Sequence, residues 1–243
     1  SIARLMTSRF LTTTLLLFLV ICAGCQTISI MEPEPSSPDP LAYAPLWDHS
    51  EDALFQLEQK QYQAVYSIKN ESKVDLYRIH RINTKKPLDL SHVQFRHPNG
   101  TIIFEDKLLI ERSRFSTSIT LPNSPGKLGF TSPRSGKSFQ APVIVSGNYV
   151  VILPKDSDVS ISLLSKVSPS NYTTTFTSNQ LYLHWTDPSS EAIYVQYYLA
   201  RDAQLLAGLL LFCGTSIVLY SLFFWSQMKR IRKTKFETDP PLQ

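Results

Sequence analysis

Cysteine is scarce in this 243-residue chain, and its 3 cysteines, Cys22, Cys25 and Cys213, lie in apolar segments near the two ends. Residues 26–204 contain no cysteine. This part of the chain therefore forms neither a disulfide framework nor a thiolate metal site. A blue-copper centre, which requires a cysteine ligand, is excluded for the same reason.

An excess of one charge is also absent from the middle of the chain. The formal net charge of +4 comes from Arg4 and Arg9 at the start and from a basic cluster after Trp225. Residues 26–228 carry 17 Lys and Arg against 18 Asp and Glu. A basic surface of the kind that binds nucleic acid is therefore not expected, and nucleic acid is not a predicted partner.

The first apolar segment predicts a secretory signal. Arg4 and Arg9 precede an apolar run from Phe10 to Ile21, which is too short to cross a bilayer. Ala23-Gly24-Cys25 then places small residues before a cysteine, although the position before Ala23 is not the usual large aliphatic residue. Residues 1–25 are predicted to be a signal peptide with a lipobox-like end and Cys25 as the lipidated residue. An ordinary signal peptide or an uncleaved anchor is the alternative.

The second apolar segment predicts a membrane-spanning helix. Residues 205–225 form a run of 21 residues without a charge, long enough to span a bilayer. Five basic residues follow the run: Lys229, Arg230, Arg232, Lys233 and Lys235. The positive-inside rule then predicts a transmembrane helix over 203–227, a cytoplasmic tail over 228–243 and an ectodomain outside the cell membrane.

Between the two membrane segments, composition separates a tether from a domain. Five prolines among Glu, Ser and Asp predict an extended extracellular tether over residues 26–46. Residues 47–202 are predicted to be a β-rich ectodomain, because short alternating apolar runs are separated by turn residues about every 8–12 positions. Ser50 predicts a short helix through Leu57, or else a strand. The predicted strands are 62–68, 74–82, 93–95, 102–104, 115–121, 138–145, 149–153, 159–164, 172–177, 180–185 and 192–199.

The fold expected from this pattern is mainly β, an antiparallel β-sandwich-like ectodomain of one or two units with one C-terminal transmembrane helix. Its sharpest local feature is Asn99-Gly100 between apolar runs, which predicts a hairpin joining 92–97 to 101–104 through a type I′ turn. Gly126, beside Pro125, is predicted to lie in a longer loop.

Three segments carry a resemblance to a known family. They are the stretch from Leu88 to Thr101, the stretch from Arg134 to Phe139, and the stretch from Tyr197 to Asp202 before the apolar run and its basic tail. Together they resemble membrane-anchored, lipoprotein-like surface proteins of halophilic archaea, a family with a domain of unknown function. The resemblance implies an archaeal cell-surface protein, and it implies no activity.

Residues with chemical potential do not form a recognised motif. Arg134 to Ser138 ends like a phosphate-binding loop, but Thr131 stands where that loop needs its first glycine, so a basic turn is expected. His92 and His97 are five positions apart, which puts them on opposite faces of one strand and argues against metal ligation.

A catalytic triad from His80, Asp75 and a serine is conceivable, but the chain has no Gly-x-Ser-x-Gly elbow. No catalytic, cofactor-binding or metal site is therefore predicted. Asn70, Asn99 and Asn171 begin Asn-x-Ser/Thr sequons, which in a secreted domain are candidates for glycosylation.

The function expected from the sequence is non-catalytic. The chain is predicted to be a membrane-anchored surface protein that binds or supports another cell-envelope component, with membrane lipid and another envelope or membrane protein as its partners. The alternatives are an accessory subunit of a membrane complex, docking through its transmembrane helix, and an extracytoplasmic hydrolase.

Replacing Cys25 tests the predicted double anchor. Cys25→Ser should abolish lipid attachment and change the electrophoretic mobility, while the protein stays in the membrane fraction, because a spanning helix holds a protein more firmly than one lipid chain. Mass spectrometry of the mature N-terminus provides the measurement. A mature protein that begins elsewhere than Cys25 would refute lipidation, and a soluble variant would refute the spanning helix.

Overall fold

The computed structural model describes residues 43–69, 71–80, 84–122 and 125–238. The predicted signal peptide, Cys25, most of the predicted tether and Asn70 lie outside these ranges. Within them the chain is mainly β, with one long helix at its C-terminal end, as the sequence predicts.

The strands are short and follow one another closely along the chain. Their bounds are β1 Ala53–Leu57, β2 Gln61–Ile68, β3 Lys73–His80, β4 Thr84–Pro87, β5 Ser91–Arg96, β6 Ile102–Phe104, β7 Leu109–Arg112, β8 Thr117–Thr120, β9 Gly126–Pro133, β10 Ser138–Pro142, β11 Asn148–Ile152, β12 Ser157–Asp158, β13 Lys166–Ser168, β14 Tyr172–Thr177, β15 Gln180–Thr186, β16 Ala192–Gln196 and β17 Tyr198–Leu199. The helices are α1 Ala44–Trp47 and α2 Ala200–Thr238, with one 3-10 turn at Glu105–Lys107.

The strands form one large sheet and three smaller ones. The large sheet has eight strands in the order β14-β15-β11-β1-β2-β9-β5-β6. The others are β4-β3-β8-β7, β10-β16-β13 and the pair β12-β17. Neighbours pair antiparallel, as predicted, except that β1 runs parallel to β11, with Ala53 opposite Tyr149 and Gln56 opposite Ile152. Alternation along one strand does not reveal which distant strand it will pair with, so this parallel pair was not anticipated.

One face of the large sheet carries most of the core. Phe55 is fully buried at its centre, with its ring 5.3 Å from that of Tyr66, 5.2 Å from that of Phe139 and 6.3 Å from that of Tyr149. Phe139 lies on β10, so these contacts pack the three-stranded sheet onto the large one. Aromatic pairs of this kind contribute about 0.5–1.5 kcal/mol each beyond their buried area.

The other face of the sheet is covered by α1. Leu46 and Trp47 are buried there in a cluster with Leu54, Val65 and Val150. These strand residues alternate with those of the main core, as a strand with two covered faces requires.

Tyr43 begins this covering segment, and its hydroxyl donates to the carbonyl of His92 at 3.0 Å and lies 2.7 Å from the Thr131 hydroxyl. Burial raises the pKa of Tyr43 well above its usual value. Tyr43 to Leu46 were assigned to the tether. The boundary of the tether at residue 46 was therefore wrong. Pro45 lies in the first turn of a helix, where proline is tolerated, and does not mark extended chain.

The Asn-Gly hairpin forms, but not through the predicted turn. β5 and β6 pair with Arg96 opposite Ile102, and the Gly100 amide donates to the His97 carbonyl at 2.9 Å. Gly100 has φ +86°, whereas Asn99 is not at positive φ. The loop is therefore a three-residue turn, Pro98 to Gly100, closed by a left-handed glycine. Pro98 suits the first central position of a type I turn, and Asn99 lacks the positive φ that type I′ requires.

A central strand, β9, was missed because its sequence contains two glycines and a proline. Gly126 is not in a loop, as was predicted; it begins β9, opposite Ile68 of β2, and precedes Lys127, which lies opposite Arg96 of β5. A Cβ built there would collide with the Phe95 ring and lie 2.7 Å from the Arg96 carbonyl oxygen. Glycine is present so that two backbones and an aromatic ring can approach closely.

The structure tests two further local predictions, for the segment after Ser50 and for residues 159–164. The segment after Ser50 forms strand β1 and not a helix, because Ala53 and Phe55 are buried in the middle of the large sheet. The predicted strand at 159–164 is wrong: residues 162–164 form a turn, in which the Leu164 amide donates to the Ile161 carbonyl at 2.9 Å.

The helix α2 leaves the β domain directly after β17. Its first 30 residues, Ala200–Lys229, contain an 18-residue stretch with a mean hydropathy of 2.1 and are long and apolar enough to cross a membrane. At 1.5 Å per residue that length is about 45 Å, more than the ~30 Å hydrocarbon core. Its apolar side chains are exposed, as in Leu211, Leu219 and Trp225.

Valine at the two glycines gives a stability test of the hairpin and of β9. Gly100→Val should lower the free energy of unfolding by about 1–3 kcal/mol, because valine strongly resists positive φ. Gly126→Val should cost at least as much, since overpacking a filled site costs about 1–3 kcal/mol or more. Ser135→Val, at an exposed turn position, should change little. Thermal unfolding of the detergent-solubilised chain provides the measurement, and an unchanged midpoint for Gly100→Val would contradict the turn geometry.

Candidate functional site

The most distinctive site in the structure is the junction between the β domain and α2. The chain passes from β16 through Tyr197 to β17 and enters the helix at Ala200 without a linker. The turn between β9 and β10 lies against this passage, where the Tyr197 amide donates to the Lys137 carbonyl at 3.1 Å. Two of the three segments that carried the family resemblance therefore contact each other here.

Arg134 ties this junction to the large sheet. Its side chain is buried, its Nε donates to the Glu58 carbonyl at 2.6 Å, and its Nη2 donates to the Tyr197 hydroxyl. The guanidinium also lies 5.2 Å from the centre of the Tyr197 ring. A buried charge is costly unless it is hydrogen-bonded, so these contacts define a single position for Tyr197 relative to the β1–β2 turn.

Lys137 fixes the first turn of α2. Gly136 has φ +67°, which turns the chain so that the Lys137 ammonium forms an ion pair with the Asp202 carboxylate. The same carboxylate oxygen accepts a hydrogen bond from the Leu199 amide at 2.7 Å. A carboxylate at the third helical position that binds the capping amide satisfies a donor that the helix leaves open, and it complements the positive helix end.

The opposite side of the junction is held by the pairing of β12 with β17. The Ala200 amide donates to the Asp156 carbonyl at 3.0 Å, and the Tyr198 hydroxyl donates to the Asp158 carboxylate at 2.8 Å. Ser160 places its hydroxyl 2.8 Å from that of Tyr198. Burial raises the pKa of Asp158, but hydrogen bonds from Ser160, Tyr198 and the Val159 amide outweigh it and hold that pKa below its usual value. Asp158 is therefore an ionised acceptor at neutral pH.

These contacts serve to position the helix. Arg134, Lys137 and the Asp156–Asp158 segment contact successive parts of the passage, and the serine among them, Ser160, donates its hydroxyl to the Asp158 carboxylate at 2.7 Å. The segment that ends like a phosphate-binding loop is thus the basic turn that was expected, and its two basic side chains bind Tyr197 and Asp202.

The two histidines considered as metal ligands lie at opposite ends of β5. His92 stands in a bulge with φ +54°, and its carbonyl accepts the Tyr43 hydroxyl. His97 begins the hairpin turn, with its ring 5.1 Å from that of Phe95. Among the residues that the structure describes, no group of three or more His, Cys, Asp or Glu is arranged to hold a metal ion.

The other candidates are placed as follows. The Ser118 hydroxyl donates to Asp75. The side chain of His80 lies outside the described part of the chain, so the structure does not test a triad of His80, Asp75 and a serine. Asn99 and Asn171 are exposed, one in the hairpin loop and one just before β14. Their glycosylation stays a prediction.

Sequence reasoning missed the junction contacts although their residues were visible. A basic pair flanking a glycine, together with one acidic residue ahead of the apolar run, was the available signal. It was not decisive, because the pairing of Arg134 with Tyr197 and of Lys137 with Asp202 depends on β9 and β10 lying beside β16.

Comparison with known proteins identifies the family. The chain belongs to DUF5803, a family of unknown function whose model matches residues 49–242. No curated protein matches the sequence.

Similarity to solved structures is low. An M1 zinc metallopeptidase from Deinococcus radiodurans has 12% identity and a TM-score of 0.34, over 60% of this chain and 41% of the peptidase. A mutant of that peptidase with a bound Tyr-Ser-Ala substrate has 11% identity and a TM-score of 0.33 over the same shares. The chain thus spans less than half the length of these proteins, and at these scores the likeness carries no argument.

Removing the Arg134 guanidinium tests the junction. Arg134→Met keeps much of the side-chain volume but removes two hydrogen bonds made by a charged group, each of which contributes about 1.5–3 kcal/mol. We expect a loss of about 2–4 kcal/mol in the free energy of unfolding of the detergent-solubilised chain. Tyr197→Phe should cost less, and Arg114→Met, at an exposed turn, should stay near wild type. Equal unfolding midpoints for Arg134→Met and Arg114→Met would contradict the role assigned to Arg134.

Proposed function

We propose that this protein is a non-catalytic, membrane-anchored surface protein that holds its β domain against the membrane in order to bind or support another component of the cell envelope. The observation that carries the proposal is the junction: β17 continues into α2 at Ala200, and Arg134, Lys137 and Asp156 fix that passage. A domain fixed in this way cannot swivel about a flexible linker. Fixed orientation matters for a protein that supports or presents a surface.

The proposed orientation places the β domain outside the cell. The basic cluster that follows Trp225 supports this side assignment through the positive-inside rule. A lipid on Cys25 would attach the other end of the chain to the same leaflet, and residues 26–42 would then connect two anchors. The partners in this proposal are membrane lipid and an envelope or membrane protein, with no cofactor.

A second candidate is an accessory subunit that docks through α2. The observation in its favour is that the helix contacts its own β domain only near its root, so Leu209 to Phe224 are exposed. Gly208 and Gly214 have open space beside them, where another helix can approach closely.

Exchanging the helix separates the two candidates. Residues 205–225 would be replaced by an unrelated apolar sequence of equal length, and chemical cross-linking in native membranes would compare the chimera with wild type. We expect cross-links from the β domain to an envelope component to persist in the chimera. Their loss in the chimera would favour docking through α2, and their absence from both proteins would refute the binding or supporting role.

Protease protection in the same cells controls the topology. Protease added to intact cells should degrade the β domain and spare a tag placed after Gln243. Loss of that tag would contradict the proposed orientation.

A further inference from the structure

Four turns of the β domain meet at the root of α2, and we call them the membrane-facing rim: residues 58–60, 134–137, 154–156 and 176–180. The Arg134 amide donates to the Lys60 carbonyl at 2.9 Å, and the Asp156 carbonyl accepts the Ala200 amide at 3.0 Å. The Asn179 side chain donates to the Asp156 carboxylate at 3.1 Å. Hydrogen bonds therefore hold the rim to the helix, so that its height above the membrane is set by the helix.

The carboxylates of the rim and its surroundings are engaged with the protein itself. Glu58 accepts a hydrogen bond from Gln61 at 2.9 Å, and Asp156 accepts one from Asn179. Asp158 binds Tyr198, and Asp202 is paired with Lys137.

Three basic side chains at the same end have no such engagement. Lys60, Lys155 and Arg201 are exposed, and none of them takes part in an ion pair within the described residues. Lys60 lies in the β1–β2 turn, Lys155 in the turn before β12, and Arg201 in the first turn of α2. With Arg134 and Lys137, five basic side chains stand at this end against the carboxylates of Glu58, Asp156, Asp158 and Asp202, a formal excess of one positive charge. The three exposed basic side chains without a carboxylate partner are the ones that can reach a lipid headgroup.

Exposed apolar side chains also gather here. Phe176 is 67% exposed and lies opposite Leu181, just before the β14–β15 turn that contacts Asp156. Leu163 is 76% exposed in the segment that Ser160 attaches to Tyr198. An aromatic or aliphatic side chain beside lysines is the combination found where proteins enter the membrane interface.

The helix places these groups at the level of lipid headgroups. The uncharged run begins at Leu205, five residues after Ala200, which at 1.5 Å per residue is about 7–8 Å along the helix. The headgroup layer on one side of a bilayer is about 5–8 Å thick. Arg201 thus lies within this layer, and the turns around Ala200 lie at its outer edge.

We propose that the membrane-facing rim binds anionic lipid headgroups through Lys60, Lys155 and Arg201, with Phe176 and Leu163 entering the interface beside them. The inference rests on the proposed membrane anchoring and adds the class of lipid that the β domain contacts. A lysine or arginine near an anionic membrane surface is attracted to it appreciably, and the attraction falls off within a Debye length.

Amide hydrogen exchange of the full-length protein tests this contact. The protein would be reconstituted into nanodiscs of phosphatidylcholine alone and of phosphatidylcholine mixed with phosphatidylglycerol. Exchange at residues 154–156 and 176–180 should be about fivefold slower or more in the anionic discs. The hairpin turn at residues 97–101, at the opposite end of the large sheet, should exchange equally in both discs and is the internal reference.

Two triple variants with the same change in charge decide the outcome. The triple variant with Lys60→Gln, Lys155→Gln and Arg201→Gln should abolish the difference in amide exchange between the two kinds of disc. Lys69→Gln, Lys73→Gln and Lys85→Gln, which remove basic residues that form ion pairs elsewhere on the domain, should retain it. Equal exchange of the wild-type rim in both discs, with the protein fully incorporated, overturns the lipid contact alone. Failure of the chain to enter nanodiscs overturns the membrane anchoring as well.

Discussion

The buried guanidinium of Arg134 is the contact on which the geometry of the junction depends. It joins the Glu58 carbonyl, at the end of β1, to the Tyr197 hydroxyl, just before the chain enters α2. Its own position follows from β9, whose pairing with β2 runs from Gly126 opposite Ile68 to Pro133 opposite Gln61. The central sheet thereby determines where the helix leaves the domain. Since the interior is close-packed, Tyr197 cannot shift without disturbing the strands that hold Arg134.

Much of the architecture follows from local patterns that a sequence displays. Strands β6 and β14 begin and end at the predicted residues, β2 and β15 differ from prediction by one residue at one end, and β11 is shifted by one residue. Alternating β-branched and aromatic residues identify such strands because each strand has one face in the core. The apolar run after Asp202 needs even less context, because crossing a bilayer requires only length and the absence of charge.

The parts that were missed depend on contacts between distant segments. β9 contains Gly126, Gly129 and Pro133, which favour a loop when they are considered locally. Only the position of the Phe95 ring against Gly126 explains why glycine is suitable in that strand. In the same way, Tyr43 follows a proline-rich stretch and was assigned to the tether, because the sequence does not reveal the face of β1 and β2 that this residue covers. The junction was missed for the same reason, because the contacts of Arg134 with Tyr197 and of Lys137 with Asp202 join residues 63 and 65 positions apart in the sequence.

The distribution of charge at the junction follows from the contacts that hold the helix. Over residues 26–228 acidic and basic residues nearly balance, so net charge gives the domain no preferred side towards a membrane. Orientation must come from how the charges are distributed. Lys69 and Lys85, away from the helix root, are paired with Asp52 and Glu191. Near α2 the Asp202 carboxylate pairs with Lys137 and caps the helix, while Asp158 accepts the hydroxyls of Ser160 and Tyr198. Lys60, Lys155 and Arg201 thus have no carboxylate partner among the described residues. Because salt screens charges over about 8 Å, an exposed basic side chain interacts with headgroups only when it lies within about that distance of them. The contacts that fix the helix therefore also leave three unpaired basic side chains at the end of the domain from which the helix departs.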